Sequence, residues 1–102
     1  MTTTRHPKTL LVIIAEAAIE KALVRDAQRL GAHGWTVGDV RGGGVGGVRE
    51  GTWEADRTIE LKLICEPGVA DAIADHVLAR YAPHYAVAMY LSDVRVLRPQ
   101  RY

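Results

Sequence analysis

The chain has 102 residues, of which 48% are hydrophobic and 25% charged, as expected for one soluble domain over residues 1–102 with a modest core. A net charge of +1 excludes the strong basic field that drives non-specific binding to nucleic acid or anionic membranes. One cysteine excludes an internal disulfide, and the N-terminus lacks the apolar segment of a signal peptide, so we expect a reducing, cytoplasmic location.

The first third of the chain predicts a strand, a helix and a second strand. Residues 10–15, LLVIIA, are apolar at every position, as in a strand buried on both faces. Residues 16–31 change to helical spacing, with Gly31 as a suitable stop. Residues 35–40, WTVGDV, predict the second strand. The apolar stripe of the helix consists of Ile19, Leu23, Ala27 and Leu30.

A glycine-rich segment, residues 41–51, follows this strand and holds six of the ten glycines of the chain. Glycine lets backbone N–H groups approach a ligand closely, and Arg41 and Arg49 supply guanidinium groups suited to phosphate or carboxylate. Ordering such a segment costs conformational entropy, so we expect it to stay mobile until a ligand binds. A plain flexible connector is the alternative, and the flanking arginines favour an anion-binding switch.

The second half of the chain predicts a strand, a helix and a last strand. Residues 58–65, TIELKLIC, alternate with period two, and their polar members share one face. Pro67 suits the first position of a second helix. Residues 85–91 predict the last strand, with an extension to Leu97 before a basic tail. The apolar stripe of the second helix consists of Ala70, Ile73, Ala74, Val77 and Tyr81.

The element order βαββαβ is the ferredoxin-like pattern, an α+β fold with two helices on one face of an antiparallel sheet. Two helices cover only one side of the sheet, yet the first and last strands are apolar at consecutive positions. We therefore expect a homo-oligomer in which copies of the chain cover the other side.

The residues do not form a pattern typical of catalysis or of a metal site. Cys65 is expected to be a small buried hydrophobe rather than a nucleophile. Glu50, Glu54 and Asp56 are more typical of a solvated loop edge than of general bases. No ligand-like i, i+4 pair occurs among the histidines, so no metal site is expected. We therefore predict no catalytic residues and a binding protein rather than an enzyme. The histidines are His6, His33, His76 and His84.

Three runs resemble those of PII signalling proteins. GWTVGDVRGGG at residues 34–44 resembles the beginning of their T-loop. VREGTW at residues 48–53 and VRVLRP at residues 94–99 resemble the PII-like branch of bicarbonate metabolism, which includes the SbtB and the carboxysome-associated PII proteins. Many PII proteins grip the outer phosphates of ATP with a glycine- and lysine-rich loop, whereas residues 82–84 here are Ala-Pro-His. This departure argues against a strong preference for a triphosphate.

The resemblance implies a PII-like trimer with the glycine-rich segment as its T-loop and an adenine nucleotide, ADP, AMP or also ATP, bound between subunits. It also implies bicarbonate binding and control of inorganic-carbon uptake or fixation. The implied partner is a bicarbonate transporter or a carboxysome component, with no nucleic acid, in the cytoplasm or at carboxysomes. A structural trimer like the CutA proteins is the alternative. The implied nucleotide-binding residues are Thr36, Val37, Gly42, Gly43, Gly44, Ile64, Tyr85, Ala86, Val87, Arg95 and Arg98. The implied bicarbonate-binding residues are Arg41, Gly46, Gly47 and Arg49.

Overall fold

The computed structural model describes residues 4–44, 47–49 and 57–102. A four-stranded antiparallel sheet carries both helices on one face, which confirms the ferredoxin-like prediction. The elements in chain order are β1 (His6–Glu16), a 3-10 turn (Ala17–Ile19), α1 (Glu20–Arg29), β2 (Thr36–Val40), β3 (Gly42–Gly44), β4 (Gly47–Arg49), β5 (Thr58–Cys65), α2 (Pro67–Arg80), β6 (Val87–Val96) and a second 3-10 turn (Pro99–Arg101). The strand order of the sheet is β2-β5-β1-β6, and β3 pairs with β4 in a separate hairpin.

The core lies between the two helices and one face of the sheet. Leu11 and Ile13 of β1 and Leu61 and Leu63 of β5 point into it and are at most 1% exposed. Both helices bury the predicted stripes, apart from Leu30, which is half-buried. Cys65 is buried, and this burial raises the pKa of its thiol, as expected for a structural rather than a nucleophilic cysteine.

Element boundaries depart from the predictions at several places, among them Glu16 and Tyr85. Glu16, predicted to begin the first helix, is the last residue of β1, because it pairs across the sheet with Thr58. The last strand begins at Val87 rather than at Tyr85, because the backbone N–H of Tyr85 donates to the carbonyl oxygen of Tyr81, the residue that follows α2. The predicted stop at Gly31 is confirmed, since its φ of +119° is a conformation that glycine adopts without strain.

The sheet face away from the helices, called the open face below, keeps apolar side chains. Leu10, Ile14 and Ile64 are half-buried there. Val12 is fully buried on this face, where its cross-strand neighbours are Lys62 and Tyr90. This face therefore retains the apolar surface that a second copy would cover.

A polar cluster joins the two helices. The carboxylate of Asp26 on α1 lies 2.9 Å from Nε2 of His76 on α2 and accepts a hydrogen bond from the Tyr81 hydroxyl. Burial raises the pKa of Asp26, but the hydrogen bonds from Tyr81 and His76, with nearby positive charge, outweigh it and lower the pKa below 3.8. The ionised carboxylate is therefore the form that stabilises the fold.

Replacing Asp26 with asparagine is expected to lower the free energy of unfolding by about 2 kcal/mol at neutral pH, because a charged acceptor of two hydrogen bonds is lost. A lowered pKa contributes stability that is fully present above the ordinary value of 3.8 and is lost as pH falls through the folded value. The difference between the wild type and Asp26→Asn should therefore shrink toward ~pH 3. Urea unfolding at fixed protein concentration measures it, with the exposed Asp75→Asn as the control. A difference that is the same at both pH values would contradict the role of the charge.

Candidate functional site

A pocket of about 360 Å³ lies on the open face, between β2, β5 and the C-terminal turn. Its floor is apolar, and its rim carries two aromatic rings and two cations. The ammonium of Lys62 lies 3.3 Å from Oε1 of Glu60 on the same strand, which confirms that the polar residues of β5 share a face. Within the described part of the chain, Arg101 makes no ion pair. The lining residues are Leu10, Gly34, Trp35, Thr36, Lys62, Ile64, Arg101 and Tyr102.

The composition of this pocket suits a ligand with one flat apolar part and one anionic part. Trp35 is 44% exposed, so a face of its indole is available for stacking. Leu10 and Ile64 supply apolar contact, while Arg101 supplies positive charge and Lys62, which Glu60 partly neutralises, adds to it. The volume falls in the range of small-molecule pockets, roughly 300–1,000 Å³.

A second groove of about 620 Å³ lies at the other edge of the sheet, where β1 and β6 meet the beginning of α2. It contains Arg95, one of the residues implied for the nucleotide. Lys8 in this groove pairs with Glu66, and Asp93 adds a further carboxylate. The mixed charge makes this groove a weaker anion site than Arg95 alone would suggest. Arg98 lies outside both pockets and is exposed where the C-terminal turn begins.

The glycine-rich segment contains the hairpin of β3 and β4. Gly42 pairs with Arg49 and Gly44 with Gly47, so the backbone of Arg49 lies next to that of Arg41. The base of the segment is closed by an ion pair in which Nη2 of Arg57 lies 2.7 Å from Oδ1 of Asp39. Four residues named from the sequence lie outside the described residues: Gly46, Glu50, Glu54 and Asp56.

The residues implied for the nucleotide fall at separate places on one protomer. Thr36 and Ile64 line the pocket on the open face, and Val37, on the neighbouring position of β2, is half-buried. Gly42–Gly44 lies beyond the opposite end of β2. At that same end of the sheet, Val87 pairs with Ala15 of β1, and Tyr85 and Ala86 precede it. At about 3.3 Å per residue, β1 runs about 20 Å from Leu10 in the pocket to Glu16 at this end.

Sequence reasoning did not single out several pocket residues. Leu10 and Lys62 lie in predicted strands, but which face of each strand forms a pocket depends on neighbours distant in sequence. Trp35 lies inside the PII-like run, and a tryptophan next to Thr36 could have indicated a surface for stacking a ligand. Arg101 and Tyr102 belonged to a basic tail whose path back to β5 no local pattern predicts.

Among residues 4–44, 47–49 and 57–102, no group of three or more histidine, cysteine or acidic side chains is suited to hold a metal ion. In the same ranges, no helix is long and apolar enough to cross a membrane.

Comparison with known proteins gives one family and several structural neighbours. A family model described as nitrogen regulatory protein P-II matches residues 8–101. A protein from Thermus thermophilus, solved as a PII-like signalling protein, is 39% identical, with 96% of this chain and 97% of that chain covered and a TM-score of 0.83. CPII from Thiomonas intermedia, solved with ADP and bicarbonate, is 21% identical over 98% of each chain, with a TM-score of 0.87. A DUF3240 family protein from Shewanella baltica is 21% identical over 89% of each chain, with a TM-score of 0.65.

Proposed function

Because this chain belongs to the nitrogen regulatory protein P-II family, we propose that it is a PII-like sensor of adenine nucleotide, ADP or AMP, and of bicarbonate. The nucleotide binds between the subunits of a homotrimer, and bicarbonate binds beside it. Ordering of the glycine-rich segment then regulates inorganic-carbon uptake or fixation in the cytoplasm, through a bicarbonate transporter or a carboxysome component.

The pocket on the open face is the observation that carries this proposal. Trp35 and the aliphatic side chains suit the flat face of adenine, and Lys62 and Arg101 suit the negative charge of a phosphate. Base stacking on an aromatic ring is worth roughly 1–3 kcal/mol, so one exposed indole makes a useful contribution. CPII of Thiomonas, which shares the fold, has been solved with ADP, AMP and bicarbonate.

The separation of the implied site residues supports a site shared between subunits. Thr36 and Ile64 lie about 20 Å along β1 from the end where Gly42 and Val87 lie, at about 3.3 Å per residue. A second copy that covers the apolar open face could bring the pocket of one subunit to the sheet end of the next. We assign the nucleotide to these two walls, with Arg98 at the rim.

Bicarbonate is assigned to the glycine-rich segment through Arg41, Gly46, Gly47 and Arg49. A small anion needs guanidinium donors and backbone N–H groups together. The pairing of Gly42 with Arg49 brings the backbones of the two arginines to one end of the hairpin. This proximity supports the proposal that both arginines bind the same anion.

Calorimetric titration with ADP, AMP and ATP tests the proposed function. ADP or AMP should bind at least as tightly as ATP, because residues 82–84 supply neither glycine nor lysine for the outer phosphates. ATP binding a hundredfold tighter, about 2.7 kcal/mol, would contradict this interpretation. No binding of any of the three would favour the structural, CutA-like alternative.

The variant Gly42→Ala tests the assigned site in this titration. A methyl group at Gly42 would meet no other atom within 4 Å, so the free protein should tolerate it. A nucleotide that approaches this backbone closely would meet the methyl group, and we expect about tenfold weaker ADP binding, near 1.4 kcal/mol. Gly68→Ala, which also meets open space but lies in the first turn of α2, should bind ADP like the wild type.

A further inference from the structure

The connection between α2 and β6 uses all of its backbone N–H groups within the protein. The N–H of Ala82 bonds the carbonyl oxygen of Val77 at 3.0 Å. The N–H groups of His84 and Tyr85 both bond the carbonyl oxygen of Tyr81, at 3.0 and 2.9 Å. The proline between them has no N–H to donate. From residue 82 to residue 85, this turn therefore offers a ligand no free backbone donor.

The remaining donor of the turn bonds a carboxylate. The N–H of Ala86 lies 2.7 Å from Oε2 of Glu16, the last residue of β1. Charge-assisted hydrogen bonds of this length are the strong ones, roughly twice as strong as neutral bonds. Glu16 is held in place because it pairs with Thr58 of β5, while the next residue, Ala17, donates its N–H to the carbonyl oxygen of Arg57 at 2.9 Å.

Glu16 thus puts a negative charge where a phosphate near Ala86 would need a donor. Phosphates in proteins are bound by free N–H groups of the backbone, by helix N-termini and by cations. At this turn, by contrast, the backbone N–H groups already donate hydrogen bonds within the protein, and that of Ala86 donates to the carboxylate of Glu16. A phosphate chain that reaches Ala86 meets both a competing acceptor and a like charge.

We propose that Glu16 is a specificity-determining residue that limits the phosphate chain of the nucleotide to one or two phosphates. This inference rests on the proposed function, which assigns the sheet end at Val87, the residue after Ala86, to one wall of the nucleotide site. The carboxylate takes the N–H of Ala86 from the ligand and repels the charge of a third phosphate. In the proposed trimer, the pocket of one subunit faces Glu16 of the next subunit, and a nucleotide with a short phosphate chain ends before it reaches that carboxylate.

The test compares AMP, ADP and ATP binding to the wild type, Glu16→Gln and Glu16→Ala by calorimetry in magnesium-free buffer. Glutamine keeps an oxygen that accepts from Ala86 and removes only the charge, so it should fold like the wild type. We expect Glu16→Gln to tighten ATP binding about tenfold while ADP and AMP change less than about twofold. Asp75→Asn on the exposed side of α2 removes one negative charge elsewhere and should leave all three affinities unchanged.

The outcomes separate this inference from the proposed function. If the wild type binds ADP but neither Glu16 variant changes the ratio of ATP to ADP affinity, Glu16 does not set the specificity. An equal gain in Asp75→Asn would reduce the effect to net charge and would also overturn the inference. If the wild type binds no adenine nucleotide, the proposed function fails and the role of Glu16 fails with it.

Discussion

Replacing Tyr90 with glutamate is expected to dissociate the proposed homotrimer and to abolish ADP binding with it. Tyr90 lies on the open face opposite Val12 and is 54% exposed in the protomer. A subunit that covers this face would bury the new carboxylate among apolar side chains, at a cost of several kcal/mol. Rotational symmetry repeats the substitution at every interface, so the cost arises three times.

Light scattering at micromolar concentration measures the assembly, and calorimetry on the same samples measures ADP binding. Leu78→Glu is the matched control, because Leu78 is similarly exposed at 57% but lies on α2, away from the open face. This variant should stay trimeric and bind ADP. A wild-type protein that is monomeric would refute the assembly. A Tyr90→Glu variant that stays trimeric would show that the subunits contact each other through another face.

The strands of the four-stranded sheet and both helices could be predicted from the sequence because the spacing of their apolar residues matches their burial. Leu11, Val12 and Ile13 are all buried in a strand that lies between two other strands. Leu23 and Ala27 recur at helical spacing on a buried face. The errors occur where long-range pairing determines the boundary. Glu16 favours a helix locally, but Thr58 holds it in the sheet.

The candidate site was less accessible to sequence reasoning, for the same physical reason. Thr36 and Ile64 were named through the resemblance, and they do line one pocket. Arg101 and Lys62 share that pocket only because the C-terminal turn crosses to β5. The hydrogen bond from Ala86 to Glu16 joins residues 70 positions apart. No local pattern contains such neighbours, and the assignment of the nucleotide residues stays a prediction.

Bicarbonate is expected to tighten ADP binding by about tenfold, and ADP to tighten bicarbonate binding by the same factor, since linkage is reciprocal. The physical reason is the cost of ordering residues 41–51. The hairpin consists of two strands of three residues, and an isolated two-stranded hairpin is marginally stable at best. The ion pair of Arg57 with Asp39 at its base is largely solvent-exposed and adds little.

When ADP and bicarbonate both bind this segment, the entropic cost of ordering it arises only once. The first ligand orders the glycines, and the second then binds a segment that has already lost its conformational entropy. Titration of ADP with and without bicarbonate measures the coupling, and hydrogen exchange over residues 42–51 measures the ordering. Equal ADP affinity in both conditions, together with unchanged exchange, would leave the segment a plain connector.

Arg49→Ala identifies which residue carries the coupling. The variant should lose most of the tenfold effect while light scattering reports an intact trimer, because the proposed function makes Arg49 a donor to the bicarbonate and not a part of the subunit interface. Arg80→Ala, at the exposed end of α2, removes an arginine elsewhere and should keep the full coupling. Loss of the trimer in Arg49→Ala would give this residue a structural role instead. Retained coupling with an intact trimer would assign the bicarbonate to Arg41 instead. The interaction energy between Arg41 and Arg49 can then be measured by comparing the two single variants with the double variant.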